Sequence, residues 1–164
     1  MATAKPTYPP LTITCLPAED AYDYDHFRNR LADTSVLEHS VAIRIFRMPF
    51  LAVPAGGPRR GGYFSVPELS IGVEVLGLLR GRPGFTSLRL RWSPWRDCCH
   101  IVEWGAKPPD WWDDAARGRF YGYSATAISE FLDSAASAQR RPKTPSSTSP
   151  FRSPAGLRAV EEGP

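Results

Sequence analysis

The sequence holds three places where side chains of chemical interest stand close together. The first is Cys98-Cys99-His100. Thiolate and imidazole are zinc ligands, and together they also make a nucleophile and its base. On a strand, however, Cys98 and His100 share one face while Cys99 points to the other, so the three do not converge. Side chains at i and i+2 stand parallel, which argues against a Cys98/His100 catalytic pair. Cys15, His26 and His39 lack ligand spacing. The sequence therefore assigns no catalytic residue, no metal site and no cofactor.

The second place is acidic: Asp97, Glu103, Asp110, Asp113 and Asp114, interleaved with Trp104, Trp111 and Trp112. Paired carboxylates bind Mg²⁺ or do acid–base work. The interval from Asp97 to Glu103 has a loose nuclease-like spacing, but no Lys follows Glu103 at i+2; Lys107 lies at i+4. The plainer reading is a loop that complements basic residues elsewhere. The Trp111–Trp112 pair suits a partner hot spot, where Trp is over-represented, or the lid of the core.

The third place is basic. Arg44, Arg89 and Arg91 alternate with apolar residues on two expected hairpins, and Phe46 lies on the same side as Arg44. If the hairpins share a sheet, these arginines form one face with an aromatic, the surface on which single-strand nucleic-acid binders track a backbone and stack bases. The plainer alternative is a solvated face paired with acidic flanks, at ~0–1 kcal/mol per pair. Arg59 and Arg60 sit in the loop Gly56–Gly62, whose glycines would let backbone N–H groups cradle an anion. Neither a P-loop nor a dinucleotide fingerprint is present, so a flexible β–β connection is the simpler account. Arg117–Ser124 mixes Arg, Gly and aromatics but departs from the RNA-binding pattern and precedes a helix. It reads as a tight packing corner.

Several elements must position these residues. Tyr22–Ala32 reads as a helix from Tyr24, Phe27 and Leu31. Val41–Arg47 alternates as a strand, with Val41, Ile43 and Ile45 inward, and Phe50–Val53 returns to make a hairpin. Tyr63 and Phe64 begin a third strand. Ser65-Val66-Pro67-Glu68 matches a capping box for a helix burying Leu69, Val73, Leu76 and Leu79. Ser87–Ser93 and Cys98–Trp104 make a second hairpin. The last helix is Ala125–Ala135, capped by Ser124 and burying Ile128, Phe131 and Leu132. The order α-β-β-(β)-α-β-β-α predicts an α+β fold, with helices on one face of a small, largely antiparallel sheet.

The chain of 164 residues carries a net charge of +3. That excess lies wholly beyond residue 138, in a Pro/Ser-rich segment with five bases and two acids. Residues 44–96 carry +7, balanced by −3 before and −4 after. This predicts an extended Pro-rich arm over residues 1–20, one α+β domain over 21–138, and a disordered basic tail over 139–164. Composition excludes collagen and coiled coil. No apolar run reaches the length of a signal peptide or a membrane span, so a cytoplasmic protein without membrane contact is expected. The odd cysteine count, with two adjacent, fits reduced, buried thiols.

The segments Val41–Gly57, Arg60–Ser65, Gly81–Phe85, Leu88–Gly105 and Asp113–Ser124 together resemble a small family of uncharacterised actinobacterial proteins of the streptomycete type. The most specific pieces are Leu90-Arg91-Trp92-Ser93-Pro94 with Val102-Glu103-Trp104-Gly105, and Arg119-Phe120-Tyr121-Gly122-Tyr123-Ser124. The resemblance runs over roughly Tyr22 to Leu132. It implies an intact single domain with variable tails in a bacterial cytoplasm, and carries over no activity. The sequence thus leaves three readings in order: a non-catalytic accessory or regulatory domain binding a protein partner, a nucleic-acid binder, and an enzyme using the acidic loop.

Overall fold

The computed structural model of the protein describes residues 12–140 apart from residue 96. The expected arm up to residue 11 and the expected tail from residue 141 lie outside the described residues. The elements in order are β1 (Thr14–Leu16), α1 (Tyr24–Arg30), β2 (Val41–Arg44), β3 (Pro49–Ala52), β4 (Gly61–Val66), α2 (Leu69–Leu79), β5 (Arg89–Arg91), β6 (His100–Gly105), α3 (Asp114–Phe120) and α4 (Ala125–Arg140). Short 3₁₀ turns occupy Ala18–Asp20 and Thr34–His39. The fold is α+β, as the pattern implies. Among the described residues no helix is long and apolar enough to cross a membrane.

The strands divide into two antiparallel sheets rather than one, ordered β1-β2-β3 and β4-β6-β5. Part of the segment expected as an arm supplies β1, which pairs with β2. The first sheet is a middle layer covered on both faces. Val41, Ile43 and Ile45 point inward as their alternation requires, into a core shared with α2 and the second sheet. Ala42 and Leu51 face the other way and are equally buried, against Leu31, Val36 and Leu37. Only at the end of this second face, at Arg44 and at Phe46 just beyond the strand, which stops at Arg44 rather than Arg47, does the chain reach solvent. The expectation of a half-buried strand fails because a second core lies under it.

In the second sheet Phe64, Val66, Val102 and Trp104 turn toward the shared core. By alternation Tyr63, Glu103, Arg89 and Arg91 take the opposite face. Gly62 stands directly across from Trp104, and a Cβ there would come within 2.6 Å of the indole. Only glycine leaves room for that ring. The indole N–H in turn donates to the Val53 carbonyl at 3.0 Å, linking the sheets through the core.

The helices correct several expectations. The capping box at Ser65–Glu68 does not form: Ser65 and Val66 stay in β4, and α2 begins after Glu68 with no side-chain cap. The buried stripe of α2 is Ile71, Gly72, Val75 and Leu79, while Leu69 and Val73 are 46% and 58% exposed. The helix is apolar nearly all round, so the position of the sheet chooses its buried face. Helix α1 is shorter than expected because the Asp23 carboxylate accepts from the Leu51 N–H at 2.8 Å, fixing the entry to the helix. Helix α3 was not anticipated; the Asp113 carboxylate caps it by accepting from the Ala116 N–H at 2.8 Å. Ser124 caps α4 as expected, its hydroxyl accepting from the Ala127 N–H at 3.2 Å. Phe131 and Leu132 are nevertheless exposed, since α4 packs on α3 rather than on a sheet. Cys98 and Cys99 fall in the exposed loop before β6, not among buried residues.

Replacing Ile71 with Ala should cost about 2–5 kcal/mol of unfolding free energy, whereas Val73→Ala should change it by no more than about 0.5 kcal/mol. Urea unfolding measures both. Equal losses would mean that the buried face of α2 is wrongly assigned.

Candidate functional site

The division into two sheets separates Arg44, on β2, from Arg89 and Arg91, on β5. The three do not form one face. Between Arg89 and Arg91 lies Glu103 of β6, its side chain 8% exposed. One carboxylate oxygen takes the Arg89 Nε at 3.1 Å and the other the Arg91 Nη2 at 3.3 Å. Arg89 also donates to the carbonyls of Ser87, Gly105 and Ala106. Both oxygens of Glu103 are engaged, which removes it from acid–base work with Asp97. These are the two ion pairs among the described residues. Among the described residues, the basic middle of the sequence is therefore not neutralised by direct pairing with its acidic flanks, Glu103 apart.

The Gly56–Gly62 segment is a tight turn, not an open cradle. Gly56 and Arg59 exchange backbone hydrogen bonds at 2.8 and 2.9 Å. Arg59 turns inward and is 5% exposed. Its Nε donates to the Val53 carbonyl at 3.3 Å and its Nη1 to the Tyr121 carbonyl at 2.6 Å. The guanidinium stands 5.8 Å from the ring centroids of both Phe27 and Tyr121. No carboxylate of the described residues pairs with it. Burial lowers its pKa to about 10, which leaves it charged at neutral pH.

Arg60 is exposed and lines a shallow depression with Lys107 and Arg119. Sequence reasoning missed this cluster because Lys107 and Arg119 lie in the acidic flank. Trp111 and Trp112 are 77% and 66% exposed and meet edge to face at 5.8 Å, so they are not a lid on the core. His100 is occupied structurally: its Nδ1 accepts from the Ser93 N–H at 3.0 Å.

A smaller but more enclosed concavity lies elsewhere. It has a volume of about 310 Å³ and lies where α1, β4, α3 and α4 meet, walled by Tyr63, Tyr121, Tyr123 and Phe131 with Arg30 and Arg117 among its lining residues. Backbone bonds hold α1 against the α3–α4 connection: Ser124 N–H to Arg30 O at 2.8 Å, and Ala32 N–H to Gly122 O at 2.9 Å. Gly122 has φ of +75°, and a Cβ there would meet Arg59 at 2.7 Å. The Tyr121 ring packs edge to face on Tyr63 at 5.4 Å, and Tyr123 stacks on Phe27 at 6.5 Å. Burial is the main cause that raises the pKa of Tyr121 and of Tyr123 above the usual phenol value, so both hydroxyls stay protonated at neutral pH. Burial, then the nearby Arg30, lowers that of His26, which leaves the imidazole neutral there. The sequence marked Arg117–Ser124 as a packing corner. It offered no local motif for a cavity whose walls come from three stretches distant in sequence: α1, β4 and the run from α3 into α4.

Alkaline titration should show phenols that ionise above the usual value, and Tyr121→Phe and Tyr123→Phe should each remove one of them. The unfolded chain ionises these groups first, so their contribution to stability is intact below pH 10 and is lost as pH rises through the raised folded values. Phenolate absorbance against pH checks this; a single ordinary transition for every tyrosine would contradict the burial.

No curated protein and no solved structure matches the chain. The sequence model of one family does, over residues 15–156, a span that takes in both sheets except Thr14, the tyrosine-walled cavity and helices α1 to α4. The chain accordingly belongs to a family of unknown function, DUF6302.

Proposed function

We propose that the chain is a non-catalytic accessory or regulatory domain of a bacterial, actinobacterial cytoplasm that binds a protein partner. The observation that carries this reading is the Trp111–Trp112 pair, held out in solvent at the start of α3. Two adjacent indoles exposed to this degree offer much apolar area at little entropic cost. The Asp113 cap fixes the chain beside them, so the pair is presented from an anchored position. Asp110, Asp113 and Asp114 are exposed around them. Aromatic faces and carboxylates together favour a partner segment bearing Lys or Arg, through cation–π contact and charge complementarity.

A second reading, nucleic-acid binding, draws on a different observation. Arg60, Lys107 and Arg119 share one depression, and no acidic side chain lines it. Arg44 is exposed on another sheet and adds to the general field rather than to this cluster. The enzyme reading has the least support, because the best placed carboxylate, Glu103, is engaged by two arginines.

Affinity capture followed by direct titration of the captured partner tests the first reading. Trp111→Ala/Trp112→Ala should weaken that partner by about thirtyfold or more. A partner bound equally well by the double variant removes the indoles from the interface. For the second reading, single-stranded oligonucleotide binding should fall steeply between about 50 and about 200 mM salt, and Arg60→Ala/Arg119→Ala should flatten the slope. Absence of binding at the lower salt would end it.

A further inference from the structure

We infer that the cavity between α1, β4, α3 and α4 is a binding site for a small organic acid, one with a flat aromatic or heteroaromatic body and a single anionic head. Three features of its walls converge on that chemistry. The first is size: about 310 Å³ lies at the lower end of small-ligand pockets, room for one or two fused rings and a head group. The second is surface. Tyr63, Tyr121, Tyr123 and Phe131 present ring faces and edges, and such walls pack best against another ring. Phe131 stays 57% exposed on α4, and a ring seated in the cavity would cover it.

The third feature is charge. Arg30 and Arg117 line the cavity against a single acid, Asp114, with which neither forms an ion pair. Arg30 makes no side-chain hydrogen bond to any described residue. Arg117 makes only long ones, 3.5 Å to the Pro109 carbonyl and 3.4 Å to the Tyr121 hydroxyl. Behind the tyrosines lies Arg59, buried with no carboxylate partner among the described residues and within electrostatic reach of the phenols of Tyr63, Tyr121 and Tyr123. A buried cation without a counter-ion is costly, and an anion nearby in a low-dielectric pocket offsets much of that cost. The two cavity arginines can close a fork on the head group, while the protonated phenols serve as donors. A neutral ring would gain the surface but leave the charge uncompensated, and a bare inorganic anion would leave the ring walls empty.

Calorimetric titration of the full chain at neutral pH tests this with five probes: indole-3-acetate, indole-3-acetamide, adenosine monophosphate, acetate and inorganic phosphate. The expected result is saturable binding of one indole-3-acetate or one adenosine monophosphate per chain; which of them binds tells a carboxylate head from a phosphate head. The uncharged amide should bind at least about tenfold more weakly than the acid. Arg30→Gln and Arg117→Gln should each weaken the acid by about tenfold or more. Ala127→Phe, which places a ring inside the cavity from the first turn of α4, should abolish binding; Trp111→Ala/Trp112→Ala should leave it unchanged. The Arg30 side chain is exposed and makes no hydrogen bond to a described residue, so its variant keeps the backbone bond to Ser124, stays folded and keeps the test decisive. The inference is overturned if amide and acid bind alike, if acetate or phosphate alone binds as well as the ring-bearing acids, if Ala127→Phe has no effect, or if neither ring-bearing acid saturates below about 10 mM.

Discussion

The buried guanidinium of Arg59 is the constraint around which the remaining parts arrange themselves. Removing a cation from water costs several kcal/mol unless its donors are satisfied. Here two carbonyls and two aromatic rings do that in place of an acid. Each partner belongs to a different part of the chain: Val53 just after β3, Tyr121 after α3, Phe27 on α1. The Val53 carbonyl also takes the Trp104 indole N–H, so one acceptor ties the arginine to the second sheet as well. Gly122 must be glycine for the α3–α4 connection to come close enough. The tyrosine wall of the cavity is thus a by-product of seating Arg59.

Much of the fold is legible in local pattern, and what is not has identifiable causes. The β2–β3 hairpin, the third strand, the β5–β6 hairpin and the Ser124 cap are written in alternation and capping chemistry. The division into two sheets is not, because pairing of β4 with β6 joins residues some forty positions apart and no short-range signal specifies it. The wrong stripe on α2 has a simpler cause: Leu69, Ile71, Val73, Val75, Leu76 and Leu79 offer an apolar face in almost every direction. Helix α3 was hidden by Gly118 in its middle, a residue unfavourable in helices but needed where Ile128 of α4 packs against it. Of the residues singled out for binding, Trp111 and Trp112 are exposed together, Arg89 and Arg91 share one acid, and Arg59 is internal. The cavity could not be read at all, since charge and aromaticity there are assembled from three distant stretches of chain.

The charge pattern also takes on a different meaning in three dimensions. A +7 middle and −7 flanks suggest mutual neutralisation, yet among the described residues only Glu103 makes ion pairs with arginines. The polarity is instead laid out along α3. Asp114 occupies its first turn and Arg117 and Arg119 its last, the arrangement that suits the helix dipole. The indoles and their acids lie at the start of this helix, and Ala116, Arg119 and Phe120 along it line the basic depression. Arg117 points the same polarity into the cavity. One short helix therefore borders every surface to which a binding role has been given.

The order of strands in the second sheet has a consequence for how the chain comes off the ribosome. Its central strand, β6, is the last to be made, so β4 has no partner until residue 105 has been synthesised. Phe64 and Val66 would present a bare apolar edge through that interval, the kind of surface from which nascent chains aggregate. The segment made directly after β4 is α2, whose Gly72 packs against Val66. A helix that forms in microseconds can shelter the waiting strand while the chain still lacks its pairing partner. The nearly all-round hydrophobicity of α2 then has a use in time as well as in space, as a temporary cover that becomes part of the final core.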